Sequence, residues 1–475
     1  MQCILNFRSL VMRNFLLMLL TMATFLVQAQ QGEVIYKTYC AGCHGSQLQG
    51  NTAGKLVKTD WKYGRGKGAI VRNIKYGIHG TEMIAWGTVL KDNEITAVAE
   101  FIIAAQEVPP GAVRPIPGRL TTNDYVIKVE TLVAGGLSTP WGIEFVDETH
   151  ALISERTGGL RWIVNGKLDP RPIINLPKTY SQHTTGGFMD IALDPGYTRN
   201  GWIYLAYSHT DEDPADKDAR GMTKVVRGKI NDYVWENQET LFEVPDSLKV
   251  SGGNRWGCRF LFDEAGYLYF TIGDMARAMD SQNPVKPTGK TFRIHPDGRI
   301  PDDNPLLGRP NALQSIFTLG NRNVQGIAQH PITGEIWATE HGPMGGDELN
   351  ILRKGVNYGW PIATHGIDYS GAIVSEKTEM QGMQSPVLYW TPSIGVGAAE
   401  FVTGSMFSKW KNRLIVGALA FEEIRLLEIV EGKVPSQEVI LKGVGRVRDL
   451  KMGPEGAIYV VLNNPDIVLR LTPEL

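Results

Sequence analysis

The chain has 475 residues, a formal net charge of −2, 43 % apolar residues and 21 % charged ones. That length suggests two domains or one large one, and a near-neutral balance without a long basic run excludes nucleic acid as a natural partner. Of the four cysteines, Cys3 lies in the leader and Cys40 and Cys43 share one short motif, so Cys258 has no intrachain partner and a disulfide framework is excluded.

In chain order, Arg8 and Arg13 precede an apolar run from Phe15 to Val27, and Val27-Gln28-Ala29 offers small residues for cleavage. Residues 1–29 therefore read as a signal peptide. The run is short for a bilayer span; the processed protein is expected in the periplasm or otherwise exported, and not integral to a membrane, with a retained anchor helix as the alternative.

Residues 30–108 read as a small all-α domain. Cys40-Ala41-Gly42-Cys43-His44 sets two thiols three positions apart before a histidine, which suits covalent haem attachment with His44 as an axial ligand. The same spacing can serve as a redox dithiol or half of a zinc site, but no second cysteine pair completes the latter. Met83, in the glycine-bounded segment Gly80–Gly87, is the candidate for the second axial position, with His79 as a competitor and core filler as the plain alternative. Asp92-Asn93-Glu94 then opens a run with Ile95, Val98, Ala99, Ile102 and Ile103 at helical spacing. The arrangement resembles a class I cytochrome c, whose methionine loop precedes its last helix. Haem attachment of this kind takes place outside the bacterial cytoplasmic membrane, which agrees with the leader.

Residues 109–124 begin Pro109-Pro110-Gly111 and continue through Pro115 and Pro117, a stiff linker that cannot continue a helix. Residues 125–475 change character, repeating an apolar strand, a polar turn and a second apolar strand. The copies begin at Ile143, Ile191, Phe260, Gly326, Ser405 and Leu450. Six such units predict an all-β six-bladed β-propeller. Residues just after the second strands, such as Glu155-Arg156, Gly273-Asp274 and Glu340-His341, are expected at one mouth of its channel.

The densest polar stretch is Leu319-Gly320-Asn321-Arg322-Asn323-Val324-Gln325-Gly326, Glu340-His341-Gly342-Pro343 with Gly346-Asp347-Glu348, and Asn357-Tyr358-Gly359-Trp360-Pro361. Its carboxylates and approachable carbonyls are ligand types that calcium takes, and a solvated turn could have the same composition. Arg446-Val447-Arg448 places two guanidinium groups on one side of a strand, suited to a multiply carboxylated ligand or to a surface ion-pair ladder. With Thr271-Ile272-Gly273-Asp274 and Ile300-Pro301-Asp302-Asp303-Asn304-Pro305, these motifs resemble the soluble glucose/sorbosone dehydrogenases, PQQ-dependent calcium enzymes with a six-bladed propeller.

The resemblance implies that Arg322 and Asn323 contact PQQ and that Arg446 and Arg448 bind its carboxylates. It further implies that the Gly342 and Pro343 carbonyls hold calcium, that Glu348 and Tyr358 belong to a further calcium site, and that Asp274 orients a catalytic base. Three positions depart from that pattern: Arg255 stands where the family has its histidine base, Thr185 where it has a glutamine, and Ala420 where it has a lysine. Arginine is a poor general base, so His183 and Asp274 are the candidate replacements, and Arg255 either pairs with Asp274 or binds an acidic group. The expected function is an exported quinohaemoprotein that oxidises a sugar or alcohol and passes electrons through its own haem c to an acceptor of the respiratory chain. The alternative is a propeller with altered catalysis that binds a carbohydrate or protein while the cytochrome domain transfers electrons.

Overall fold

In the computed structural model, Glu94 starts the last helix of the N-terminal unit by accepting the Lys91 amide at 2.7 Å, the carboxylate half of a capping box. The structure describes residues 31–474 except 47, 49, 51–52, 58–60, 62, 65, 79–80, 107–114, 182–184, 217 and 369–371. The expected signal peptide, His79, His183 and part of the expected linker lie outside the described residues. The chain divides into two compact units, 1–112 and 113–475.

The first unit is helical. Helix α1 (31–39) runs into α2 (Ala41–His44), followed by α3 (Lys67–Tyr76) and α4 (Asp92–Ala104). The 3.6-residue period buries Ile70 and Ile74 of α3 and Ile95, Val98, Ala99 and Ile102 of α4 in one core with Tyr36, Leu48 and Leu90. No described helix is long and apolar enough to cross a membrane.

The second unit is a six-bladed propeller. The innermost strands are Pro140–Phe145, Phe188–Leu193, Phe260–Phe262, Val324–Gln329, Val396–Phe401 and Arg446–Met452, each packed against the next around a central channel. The sixth blade joins both ends of the unit: Val126–Val133 pairs antiparallel with Ile467–Pro473, with Val129 opposite Leu471, so the ring closes by a β-ladder rather than leaving open edges. Between blades the core is aromatic: Phe270 and Phe292 stack at 4.8 Å and Phe242 packs about 5 Å from both.

One strand differs from the sequence expectation. The fifth blade begins at Val396–Phe401, whereas 405–407 form a turn that leads into the 3₁₀ turn Ser408–Trp410. The cause is crowding at the axis: a Cβ on Gly326 would meet the Gly397 carbonyl oxygen at 2.4 Å and the Ala399 amide nitrogen at 2.7 Å. The inner strands of blades four and five approach so closely that only small residues fit, which hides the strand behind a weak β-forming sequence. Phe407 is buried instead by stacking on Trp410.

Candidate functional site

The helical unit carries a site built from its own core. His44 Nδ1 lies 2.9 Å from the Gly54 carbonyl oxygen. A carbonyl can only accept, so Nδ1 holds the hydrogen and Nε2 keeps its lone pair for a metal. His44, Cys40 and Met83 line one cavity with Leu56, Trp61, Ile70, Ile74, Ile78 and Ile102, an apolar envelope with two candidate axial ligands. The Met83 loop is held by the Ile78 amide on the Met83 carbonyl at 2.9 Å and by the Met83 amide on Thr81 Oγ1 at 3.2 Å. Burial, and then the charge of Cys43, pushes the Cys40 thiol up to about 11. The residues present fit a haem.

In the propeller, second strands end and innermost strands begin at the same face, which gathers residues from several blades. Asp274 is fully buried, and both its oxygens are engaged: Oδ1 accepts Arg255 Nε at 2.5 Å and the Ala276 amide at 3.0 Å, and Oδ2 accepts Trp360 Nε1 at 2.9 Å. The Arg255–Asp274 pair is therefore formed, and Asp274 is a brace in this arrangement. Gly273 permits it, because a Cβ there would meet the Arg255 carbonyl oxygen at 2.1 Å. Thr185 donates both its amide (2.6 Å) and its hydroxyl (2.8 Å) to the Gly253 carbonyl, tying its loop to the segment that carries Arg255.

Next to the Arg255–Asp274 pair, the Arg322 carbonyl accepts the Asp274 amide at 2.7 Å, and the Arg322 guanidinium lies 5.2 Å from the Trp360 ring centre and donates through Nη1 to the carbonyls of His341 and Gly342, at 2.8 Å each. The Arg322 amide is held by Glu340, whose other oxygen accepts Asn321 Nδ2 at 2.9 Å. Asn323 is buried beside Gly273, and its Oδ1 accepts Gln325 Nε2 at 3.2 Å. Arg448 stacks 4.2 Å from Trp141 and donates Nε to Asn463 at 3.0 Å. Burial pushes both the Arg446 and Arg448 guanidinium groups down from their usual range, and Arg448 falls further because Arg446, Arg259 and Arg156 surround it. His341 is pushed down to about 3 by burial and then by Arg322, Arg448 and Arg446, so its ring is neutral. Its buried Nε2 has no hydrogen-bond partner among the described residues. Crowded guanidinium groups beside an orphaned imidazole nitrogen fit an absent multiply charged anion.

The calcium candidates divide. The Gly342 carbonyl already carries Arg322, and the Pro343 carbonyl accepts Ser393 Oγ at 2.9 Å. A divalent cation at Gly342 would meet that guanidinium at close range, so in this arrangement the pair does not fit one. Asp347 is spent on backbone amides, Gly342 and Val396, at 2.8 Å each. Glu348 does fit: burial and then Glu340 push its carboxyl up, and beside it Asn350 Oδ1 is buried without a partner while Asn350 Nδ2 donates to Glu348 at 3.1 Å. The Tyr358 hydroxyl is engaged with the Ile351 carbonyl (2.5 Å) and the Arg353 amide (2.9 Å). Ala420 lies beyond the second strand of the fifth blade, its amide on the Ile394 carbonyl at 3.0 Å. Cys258 is fully buried with its thiol pushed up by burial, an unreactive position.

Sequence reasoning missed Arg259. Buried in the channel, it bonds Asp449 Oδ1 (2.8 Å), Asp190 Oδ1 (3.3 Å) and the Gln325 carbonyl (2.8 Å), joining inner strands of three blades to its own segment. It also donates to the Arg448 carbonyl, fixing the strand that presents Arg446 and Arg448. The available signal was a charge inside two apolar inner strands: Asp190 in Met189-Asp190-Ile191 and Asp449 in Val447-Arg448-Asp449-Leu450.

Comparison with known proteins agrees with this geometry. The family profile "Glucose / Sorbosone dehydrogenase" matches residues 137–470, and "Cytochrome C oxidase, cbb3-type, subunit III" matches 27–102. The aldose sugar dehydrogenase YliI of Escherichia coli (strain K12) is 36 % identical over 342 residues, 71 % of this chain and 91 % of that protein. The quinoprotein glucose dehydrogenase B of Acinetobacter calcoaceticus is 27 % identical over half of this chain and 54 % of its own. The apo-form crystal structure of the soluble aldose sugar dehydrogenase from Escherichia coli superposes with a TM-score of 0.68 at 33 % identity, covering 73 % of this chain and all of that one.

Proposed function

The chain belongs to the glucose/sorbosone dehydrogenase family, and from that premise we propose that its propeller oxidises a sugar at PQQ held in the mouth, the electrons leaving through a covalently attached haem c in the N-terminal unit. One observation carries this reading: Arg322, Arg446 and Arg448 surround a neutral His341 whose buried Nε2 has no partner. PQQ, a tricarboxylated quinone, would supply when bound a carbonyl that takes two electrons from the substrate. Arg446 and Arg448 would hold its carboxylates, and Arg322 and Asn323 its remaining polar edge.

The protein's own residues then position the substrate. Trp360 and Arg255 lock Asp274 from both sides, so the wall beside the substrate is rigid. The proton released from the substrate hydroxyl goes to His183, two residues before the anchored Thr185. The sugar gives up two electrons and a haem accepts one at a time; tethering the cytochrome to the dehydrogenase raises the effective concentration for both transfers. Export to the periplasm is part of this reading, supported by the apolar run from Phe15 to Val27 after Arg8 and Arg13 and by the Cys40-Ala41-Gly42-Cys43-His44 motif. Glu348 and Asn350 would hold a calcium in this reading, with Tyr358 lining the same pocket as Glu348 while its hydroxyl stays on Ile351 and Arg353.

The test uses the full chain from a haem-competent host. Haem reduction on adding sugar is expected only with PQQ present, and His183→Asn is expected to slow it by about 10²-fold or more with PQQ affinity unchanged. Absence of PQQ binding by calorimetry, together with no reduction by any sugar, overturns the reading. The Arg255–Asp274 pair in place of a histidine base favours a second one, a propeller that binds a carbohydrate without oxidising it. That reading predicts sugar binding without haem reduction even when PQQ is bound.

A further inference from the structure

We propose that the mouth selects an acidic aldose, a sugar bearing a carboxylate such as a uronic acid, and that Arg255 is the residue that sets this preference. The inference rests on the functional reading above and concerns the substrate class of the same site.

Arg255 is built to present one edge. Its backbone takes φ +62°, and the absence of a Cβ on Gly273 lets its carbonyl pack 2.1 Å from where that atom would stand. From behind, Nε is fixed to the fully buried Asp274 at 2.5 Å, and Asp274 is itself held by Trp360. The other two nitrogens of the guanidinium make no hydrogen bond among the described residues, and the side chain is 24 % exposed. A guanidinium braced through Nε offers Nη1 and Nη2 as a preformed fork, whose natural complement is a carboxylate bound through both oxygens.

The surroundings reinforce that choice. Asp274 is paired with Arg255 through Nε, and Arg156, which donates to the Gly186 carbonyl at 3.3 Å beside the Thr185 loop, adds its charge to the group around Arg448. A neutral sugar would put hydroxyls against the fork and forgo the charge-assisted bonds, whereas a uronate satisfies it and is drawn toward the positive mouth.

Galactose and galacturonate differ only at C6, so they isolate the carboxylate. With the full-length, haem-loaded chain, PQQ affinity is measured first by calorimetry, and its absence sinks the functional reading itself. With PQQ bound, galacturonate is expected to bind at least about 10-fold more tightly than galactose, the advantage shrinking as salt is added. Arg255→Gln should remove about 10-fold or more of galacturonate affinity, leaving galactose and PQQ affinities within about 2-fold, and Arg255→Lys should fall between because it keeps charge but not the fork. Equal affinities in the unaltered protein, or a ratio untouched by Arg255→Gln, overturn the proposal while leaving the dehydrogenase reading in place. A fall in PQQ affinity instead assigns Arg255 to the cofactor and overturns it as well.

Discussion

The two sides of the propeller mouth hold positive charge in opposite ways. On one side, Arg255 is matched by a fully buried carboxylate that is itself tied to Trp360. On the other, Arg446 and Arg448 are half-buried without a salt bridge among the described residues: burial pushes Arg446 down against the opposing pull of Glu422, and burial and then Arg446, Arg259 and Arg156 push Arg448 down. The matched side is balanced in charge, with the outer edge of the Arg255 guanidinium left to bond a ligand. The unmatched side stores repulsion that a ligand can relieve, and such a surface is costly unless something anionic binds to it.

The largest expected effect falls on the unmatched side. Replacing Arg446 and Arg448 together by glutamine removes two charge-assisted contacts worth about 1.5–3 kcal/mol each, so PQQ affinity measured by calorimetry should fall roughly 10²- to 10⁴-fold. The ligand-free protein should be as stable as before or more so, because the substitution also removes the desolvation that pushes both guanidinium groups down. A loss of stability in the ligand-free protein would mean that these arginines are structural and would break the comparison.

Asp274→Asn probes the matched side and should behave in the opposite sense. It leaves Arg255 without its counter-charge and should cost about 2–4 kcal/mol in urea unfolding. Adding Arg255→Gln should recover part of that loss, since neighbours in one ion pair are not additive. Full additivity would show that the pair is a bystander.

The sequence exposes these features unequally. Cys40, Cys43 and His44 stand out because one turn of chain carries both candidate attachment points and a candidate ligand, and Met83 because a loop precedes a recognisable helix start at Glu94. Arg322, Arg446 and Arg448 are legible jointly through spaced motifs. The Trp360 hold on Asp274 spans 86 residues and the Arg259 bond to Asp449 spans 190, so both exist only once the ring has closed. The Val396–Phe401 strand escapes detection because axial crowding selects glycine and alanine there, against the β-preferences that reveal other strands.

The smallest effect is the most direct reading of the unmatched charge, and it belongs to His341. Its pKa in the folded protein, pushed down to about 3, lies below the ordinary 6.5, so the unfolded chain binds the proton first as pH falls. The stability it contributes is complete well above 6.5 and is lost progressively as pH drops through 6.5 toward 3, the slope approaching about 1.4 kcal/mol per pH unit below 6.5. Urea unfolding of the unaltered protein and of His341→Gln at several pH values should therefore give a difference that is constant well above 6.5 and changes below it. Bound PQQ, by offsetting Arg446 and Arg448, should raise the imidazole pKa and soften that dependence. A pH-independent difference would show that the histidine does not sense the arginines; an unchanged dependence with PQQ bound would show that the cofactor's carboxylates sit elsewhere.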